Sequence, residues 1–135
     1  MKTKILKITA ISLIITLIIP FFALASDSEK EVQPKTTYIS TYGAVIAHGA
    51  VTTTVSADMT GTSSVTKVKI KMELQKLSSG SYSTVETWSQ TFTGRSGIME
   101  ETKITNPFST YRLKATFTAY TSSTSETRTA YVYER

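Results

Sequence analysis

The stretch "VTKVKIKMELQK", residues 65–76, sets apolar Val68, Ile70, Met72 and Leu74 against charged Lys67, Lys69, Lys71 and Glu73 in strict alternation. A period of two sends successive side chains to opposite faces, the signature of a half-buried β-strand. Along one face of such a strand, Lys67, Lys69 and Lys71 stand about 6.5–7 Å apart. The row is either the wet side of a sheet or a surface that meets something anionic.

The surrounding chain has the same texture. Thr, Ser, Tyr, Val and Ile dominate after residue 36, and these residues favour pleated, half-buried strands. No window sustains apolar residues at three- and four-residue spacing behind a cap, so helices are not expected. Strands are expected at 38–47 (with a bend at Gly43), 50–57, 65–77, 82–92, 98–105, 110–120 and 126–134. Between them, "DMTGTSS" (58–64), "SSGS" (78–81), "TGRSG" (93–97), "NPFS" (106–109) and "TSSTS" (121–125) read as turns. In the second strand Val51, Thr53, Val55 and Ala57 share a face, and in the sixth Tyr111, Leu113, Ala115, Phe117 and Ala119 do. Seven short strands in about a hundred residues predict an all-β fold, a seven-stranded antiparallel β-sandwich with an immunoglobulin- or fibronectin III-like order.

The fourth strand, "YSTVETWSQTF", breaks the alternation. In a regular strand Val85 points away from Tyr82, Trp88 and Phe92. Either a bulge near Glu86–Thr87 restores the phase and Trp88 enters the core, or Trp88 lies outside as a platform for a sugar ring.

The first residues read as an address. Lys2, Lys4 and Lys7 precede an apolar run from Ile8 to Leu24, closed by "ALA" at 23–25, which predicts a signal peptide (1–25) cleaved before Ser26. An uncleaved anchor is the competing reading, since the run approaches spanning length; Pro20 and the small residues favour cleavage. Residues 26–36 are polar and aperiodic, a flexible leader before a domain at 37–135. Three of the 15 Lys and Arg residues and none of the 10 acids fall in 1–25, so the exported chain carries a charge near +2. That weak basicity is no argument for nucleic acid or membrane as partner. An exported chain of 110 residues is one domain in size. It contains no cysteine and must rely on its core. Absent cysteines fit a Gram-positive source, and no LPxTG-like tail or second hydrophobic segment is seen. The product is expected to be secreted, free or loosely wall-associated, without a membrane span after cleavage.

"STYRLKATFTAYT" (109–121) resembles the sixth strand of fibronectin type III modules, which implies that Tyr111 fills the tyrosine-corner position. Over most of the exported chain, "KIKMELQK" before a Ser/Gly turn, "YSTVETWS" and "YRLKATFTAY" resemble a family of small secreted Gram-positive proteins of unknown function. That resemblance implies a fold and no catalytic residues; Tyr82 stands here where the family often has tryptophan.

Catalytic material is scarce. With His48 the only histidine and no cysteine, Cys–His and multi-histidine zinc sites are excluded. A Ser–His–Asp set through Asp58 lacks a GxSxG. Glu86, Glu100, Glu101 and Glu126 are the acids available to a glycosidase, but adjacent Glu100 and Glu101 point to opposite faces of a strand. Asp58, placed in a turn, is too isolated for calcium. Asn106 before Pro107 is poorly placed for a buried Asn–Lys cross-link. The expectation is no enzyme, no metal and no cofactor.

In a fibronectin-like order the third and sixth strands are neighbours. Lys67, Lys69, Lys71, Arg112 and Lys114 then share one outer face as candidate contacts to an anionic cell-wall polymer. Glu73, Glu86 or Glu134 are the acids expected to neutralise them if the face is merely solvated. Nucleic acid is disfavoured because Tyr120 is the one aromatic expected in line with the charges. The alternatives are a glycan-binding module stacking sugars on Tyr82, Trp88 and Tyr120, and a structural or self-assembling secreted protein. A pore-forming role, suggested by the Thr-rich alternation at 50–57, ranks last.

Overall fold

The computed structural model describes residues 37–135; the signal peptide and leader expected at 1–25 and 26–36 lie outside the described residues. The alternating stretch becomes β3 (Lys67–Ser78), the strand that anchors the larger of two sheets. The others are β1 (Ile39–His48), β2 (Thr52–Gly61), β4 (Ser81–Thr93), β5 (Ser96–Ile104), β6 (Tyr111–Tyr120) and β7 (Ser125–Tyr133). Sheet order is β1-β2-β5 and β4-β3-β6-β7, with every pairing antiparallel. The chain is an all-β sandwich, and its third and sixth strands are neighbours, as a fibronectin-like order requires.

Period-two patterning explains how the sheets close. Val68, Ile70, Met72 and Leu74 of β3 pair with Ala119, Phe117, Ala115 and Leu113 of β6, and all eight are buried. They meet Val55, Ala57 and Met59 of β2 from the opposing sheet. Each large apolar side chain removed from water there contributes roughly 1.5–3 kcal/mol before entropy is counted. The tyrosine corner forms: the Asn106 backbone N–H donates to the Tyr111 hydroxyl at 3.1 Å. The β3–β4 hairpin turns on Ser79 (φ 51°) and Gly80 (φ 81°), the two positive φ values that a type I′ turn demands.

Several boundaries differ from expectation. β2 runs on through Asp58 to Gly61 instead of turning at 58, because Met59 adds another inward apolar residue and Gly61 lies beneath Val65. Asp58 is therefore a strand residue paired with Gly43, not a turn residue. Val51 falls outside β2 and is exposed. β1 does not bend at Gly43; its irregularity is at Ser40, which the register skips between Ile39 and Thr41. In β4 the register shifts so that Leu74 faces Glu86 and Gln75 faces Thr84. The extra residue is Val85, one position before the bulge expected at Glu86–Thr87.

Candidate binding face

The bulge at Val85 decides which aromatic residues face outward. Beyond it Trp88 pairs with Met72 and Phe92 with Val68, so both rings turn inward, half-buried against the core. Before it Tyr82 pairs with Leu77 and lies on the outer face. Trp88 thus parts company with Tyr82 and Tyr120, the two residues grouped with it as stacking platforms.

The five expected cations do share one face. Lys67, Lys69, Lys71 and Glu73 of β3 pair with Tyr120, Thr118, Thr116 and Lys114 of β6, and Gln75 pairs with Arg112. The flanking strands add no charge: outward positions of β4 are Tyr82, Thr84, Thr87, Ser89, Thr91 and Thr93, and those of β7 are Ser125, Thr127, Thr129, Tyr131 and Tyr133. Glu73 is the sole carboxylate among these strand positions, against five cations.

Glu73 lies between two lysines, 3.7 Å from Lys71 Nζ and 3.5 Å from Lys114 Nζ. Glu86 and Glu134, the other candidate neutralisers, are elsewhere. Glu86 sits on the inner edge of β4 and pairs at 2.7 Å with Lys103 of β5, whose hydrogen bond and charge hold its carboxyl below the usual range. Glu134 accepts the Tyr111 backbone N–H at 3.1 Å and lies 3.1 Å from His48 Nδ1. Lys67 Nζ stands 4.8 Å from the Tyr120 ring centroid. Lys69 is exposed and has no ion pair or ring partner among the described residues.

Arg112 differs from the lysines. Its guanidinium carbon lies 4.1 Å from the Tyr82 ring centroid, 4.7 Å from Tyr131 and 5.8 Å from Tyr133. Its Nε donates to Gln75 Oε1 at 2.7 Å and its Nη1 to the Tyr133 hydroxyl at 3.2 Å. Tyr131 and Tyr133 were missed as outward aromatics, although they alternate with buried Val132 in "YVY". Even so, Tyr82, Tyr131 and Tyr133 gather at one end of the face, and only Tyr120 stands beside the lysine row, at Lys67.

The opposite outer face, on the three-stranded sheet, carries Asp58 and Glu100 and no cation at its strand positions. Asp58 is exposed as a residue, yet desolvation of its carboxyl pushes the pKa above the ordinary value. Ile98 pairs with Asp58 there and is 71% exposed.

The acids considered for chemistry do not converge. His48 closes β1 facing inward, its Nδ1 2.9 Å from Thr53 Oγ1, while Asp58 faces outward five residues back along the strand pair, about 17 Å away. Glu100 faces solvent and Glu101 faces inward. Glu126, on β7, lies at the opposite sheet edge from Glu86 on β4. Asn106 is exposed in its turn, where its Oδ1 accepts the Phe108 N–H at 2.9 Å. Among the described residues, no three His, Cys, Asp or Glu side chains are grouped to hold a metal, and no helix is long and apolar enough to cross a membrane. No protein-family model matches the chain, and a search of curated proteins returns no significant match.

Proposed function

We propose that the protein is a secreted, non-catalytic binding module whose four-stranded sheet lies against an anionic polymer of the cell envelope. One observation carries the reading: five cations and a single carboxylate occupy an outer face otherwise built of Ser, Thr, Tyr, Leu and Gln. Like charges about 6.5–7 Å apart repel one another across a flat sheet unless an anion bridges them. The signal-peptide pattern at 1–25 supports that location, and wall teichoic acid or another anionic polymer outside the cell suits a protein released there. The glycan reading that relies on Trp88 is weaker, because that ring is turned inward.

Co-sedimentation of the exported protein with Gram-positive walls, before and after removal of their anionic polymers, phosphate- and uronate-based alike, tests the reading at about 50 and 500 mM salt. Binding should vanish with either treatment and with the triple change Lys67→Ala, Lys69→Ala, Lys71→Ala. Wall binding that ignores salt and all three substitutions would refute it.

A further inference from the structure

We infer that the tyrosine cluster around Arg112 is a subsite for one acidic sugar residue, so that the polymer taken by this face is built of sugars. The inference rests on the polyanion reading of the face and specifies what kind of polyanion it takes.

Gln75 makes the cluster a built feature. It points to the outer side of the sheet, where a residue is normally wet, yet it is only 8% exposed. Both ends of its amide are engaged: Oε1 accepts from Arg112 Nε at 2.7 Å, and Nε2 donates to Thr84 Oγ1 at 3.1 Å. The guanidinium above it is fixed by that bond, by the Tyr133 hydroxyl and by the Tyr82 and Tyr131 rings. An arginine held this way loses little rotamer freedom when an anion arrives. Its Nη2 has no protein partner among the described residues and is not sealed from solvent, which leaves a charged donor open.

Beside that donor stand Tyr131 and Tyr133, 44% and 51% exposed. Tyr133 meets Tyr82 edge to face, with centroids 6.0 Å apart, so the rings brace one another. A fixed cation beside exposed phenol rings matches a ligand unit with an apolar ring face and an acidic group on its rim. A uronic acid residue has both. A ringless polyanion would use the charges and gain nothing from the tyrosines. From the cluster the outward positions of β3 lead through Glu73, Lys71 and Lys69 to Lys67, about 27 Å along the strand. Charge is thus spread along the face while three of its four outward rings are gathered around Arg112, Tyr120 standing alone beside Lys67, which suits a chain gripped at one residue and tracked electrostatically beyond it. Single-stranded nucleic acid favours successive stacking platforms along the groove instead.

The test compares polygalacturonate with inorganic polyphosphate and single-stranded DNA at low salt, using the whole exported protein. Tyr131→Ala should weaken polygalacturonate about tenfold, the size of one lost ring contact, and polyphosphate by no more than about twofold, through looser Arg112. Tyr131→Phe, which keeps the ring, should retain binding, and matching thermal melts should show both variants folded. Lys67→Ala with Lys69→Ala should weaken both polymers. Equal affinity of the wild type for polygalacturonate and polyphosphate, with Tyr131→Ala silent, would overturn the sugar subsite and leave the basic-face reading standing. Tighter binding of DNA than of polygalacturonate would overturn it too. Salt-sensitive binding to none of the three would remove both readings together.

Discussion

Glu126 Oε2 accepts the backbone N–H of Tyr38 at 2.6 Å, tying the last strand of one sheet to the residue that leads into the first strand of the other. The same carboxylate takes the N–H groups of Thr37 and Ile39 and pairs with Arg128 Nη2 at 2.7 Å. Burial alone would raise its pKa, but the amides of Tyr38, Ile39 and Thr37, together with Arg128, bring it below the ordinary value. The free edges of β1 and β7 are thereby joined at one end of the sandwich.

A carboxyl whose pKa is lower folded than unfolded stabilises the fold above its unfolded pKa. That contribution is lost as pH falls through the folded value. Glu126→Gln should therefore cost about 2 kcal/mol near neutral pH. It should also flatten the loss of stability on acidification below the usual carboxylate range. Urea unfolding as a function of pH checks both; an unchanged pH slope would refute the assignment.

Glu73 restrains the basic face, lying within 4.0 Å of both Lys71 and Lys114. Glu73→Gln should strengthen binding of an anionic polymer about fivefold at low salt, equivalent to ~1 kcal/mol. Stability should change by less than about 1 kcal/mol, as for other partly exposed ion pairs. Isothermal titration beside thermal melts separates the two effects. A lysine face that merely keeps the protein soluble would show no gain in affinity.

Trp88 packs inward beside Met72, half in contact with the core. Trp88→Ala should destabilise the fold by about 2–3 kcal/mol, somewhat less than a fully buried aromatic would. Polymer binding by the folded fraction should be unaffected. Loss of binding without loss of stability would return Trp88 to the ligand surface.

Gly97 is the point at which β5 passes the Phe92 ring; a Cβ built there would lie 2.4 Å from ring atom Cδ2 and 2.7 Å from Cγ. The clash reaches the base of the ring, so a small rotamer change does not relieve it. Gly97→Ala should cost about 1–3 kcal/mol in chemical denaturation.

The fold was legible where one strand carries its own phase. Alternation is uninterrupted through β6 and along β3 as far as Leu74, so inner and outer faces, and the five outward cations, follow from spacing once the two strands are neighbours. In β4 the phase depends on where the register against β3 slips, and nothing local singles out Val85 over Glu86. Tyr131 and Tyr133 could have been turned outward from their alternation with Val132. Their convergence with Tyr82 on Arg112 required the full order β4-β3-β6-β7. The Glu126 interaction was the least legible, because it joins residues 87 to 89 positions apart through backbone groups that have no sequence signature.

The two outer faces differ in sign: five cations with Glu73 on one, Asp58 and Glu100 without a cation on the other. The molecule is thus polarised through its thickness, and near a negatively charged layer it experiences a torque as well as an attraction. That polarity favours an orientation with the four-stranded sheet toward such a layer. The side then turned to the medium would bear Ile98, 71% exposed beside Asp58 and Glu100, and Ile104, 80% exposed beyond Thr102 at the strand end. A surface coated by this protein would exchange a densely anionic skin for a mildly acidic, more apolar one.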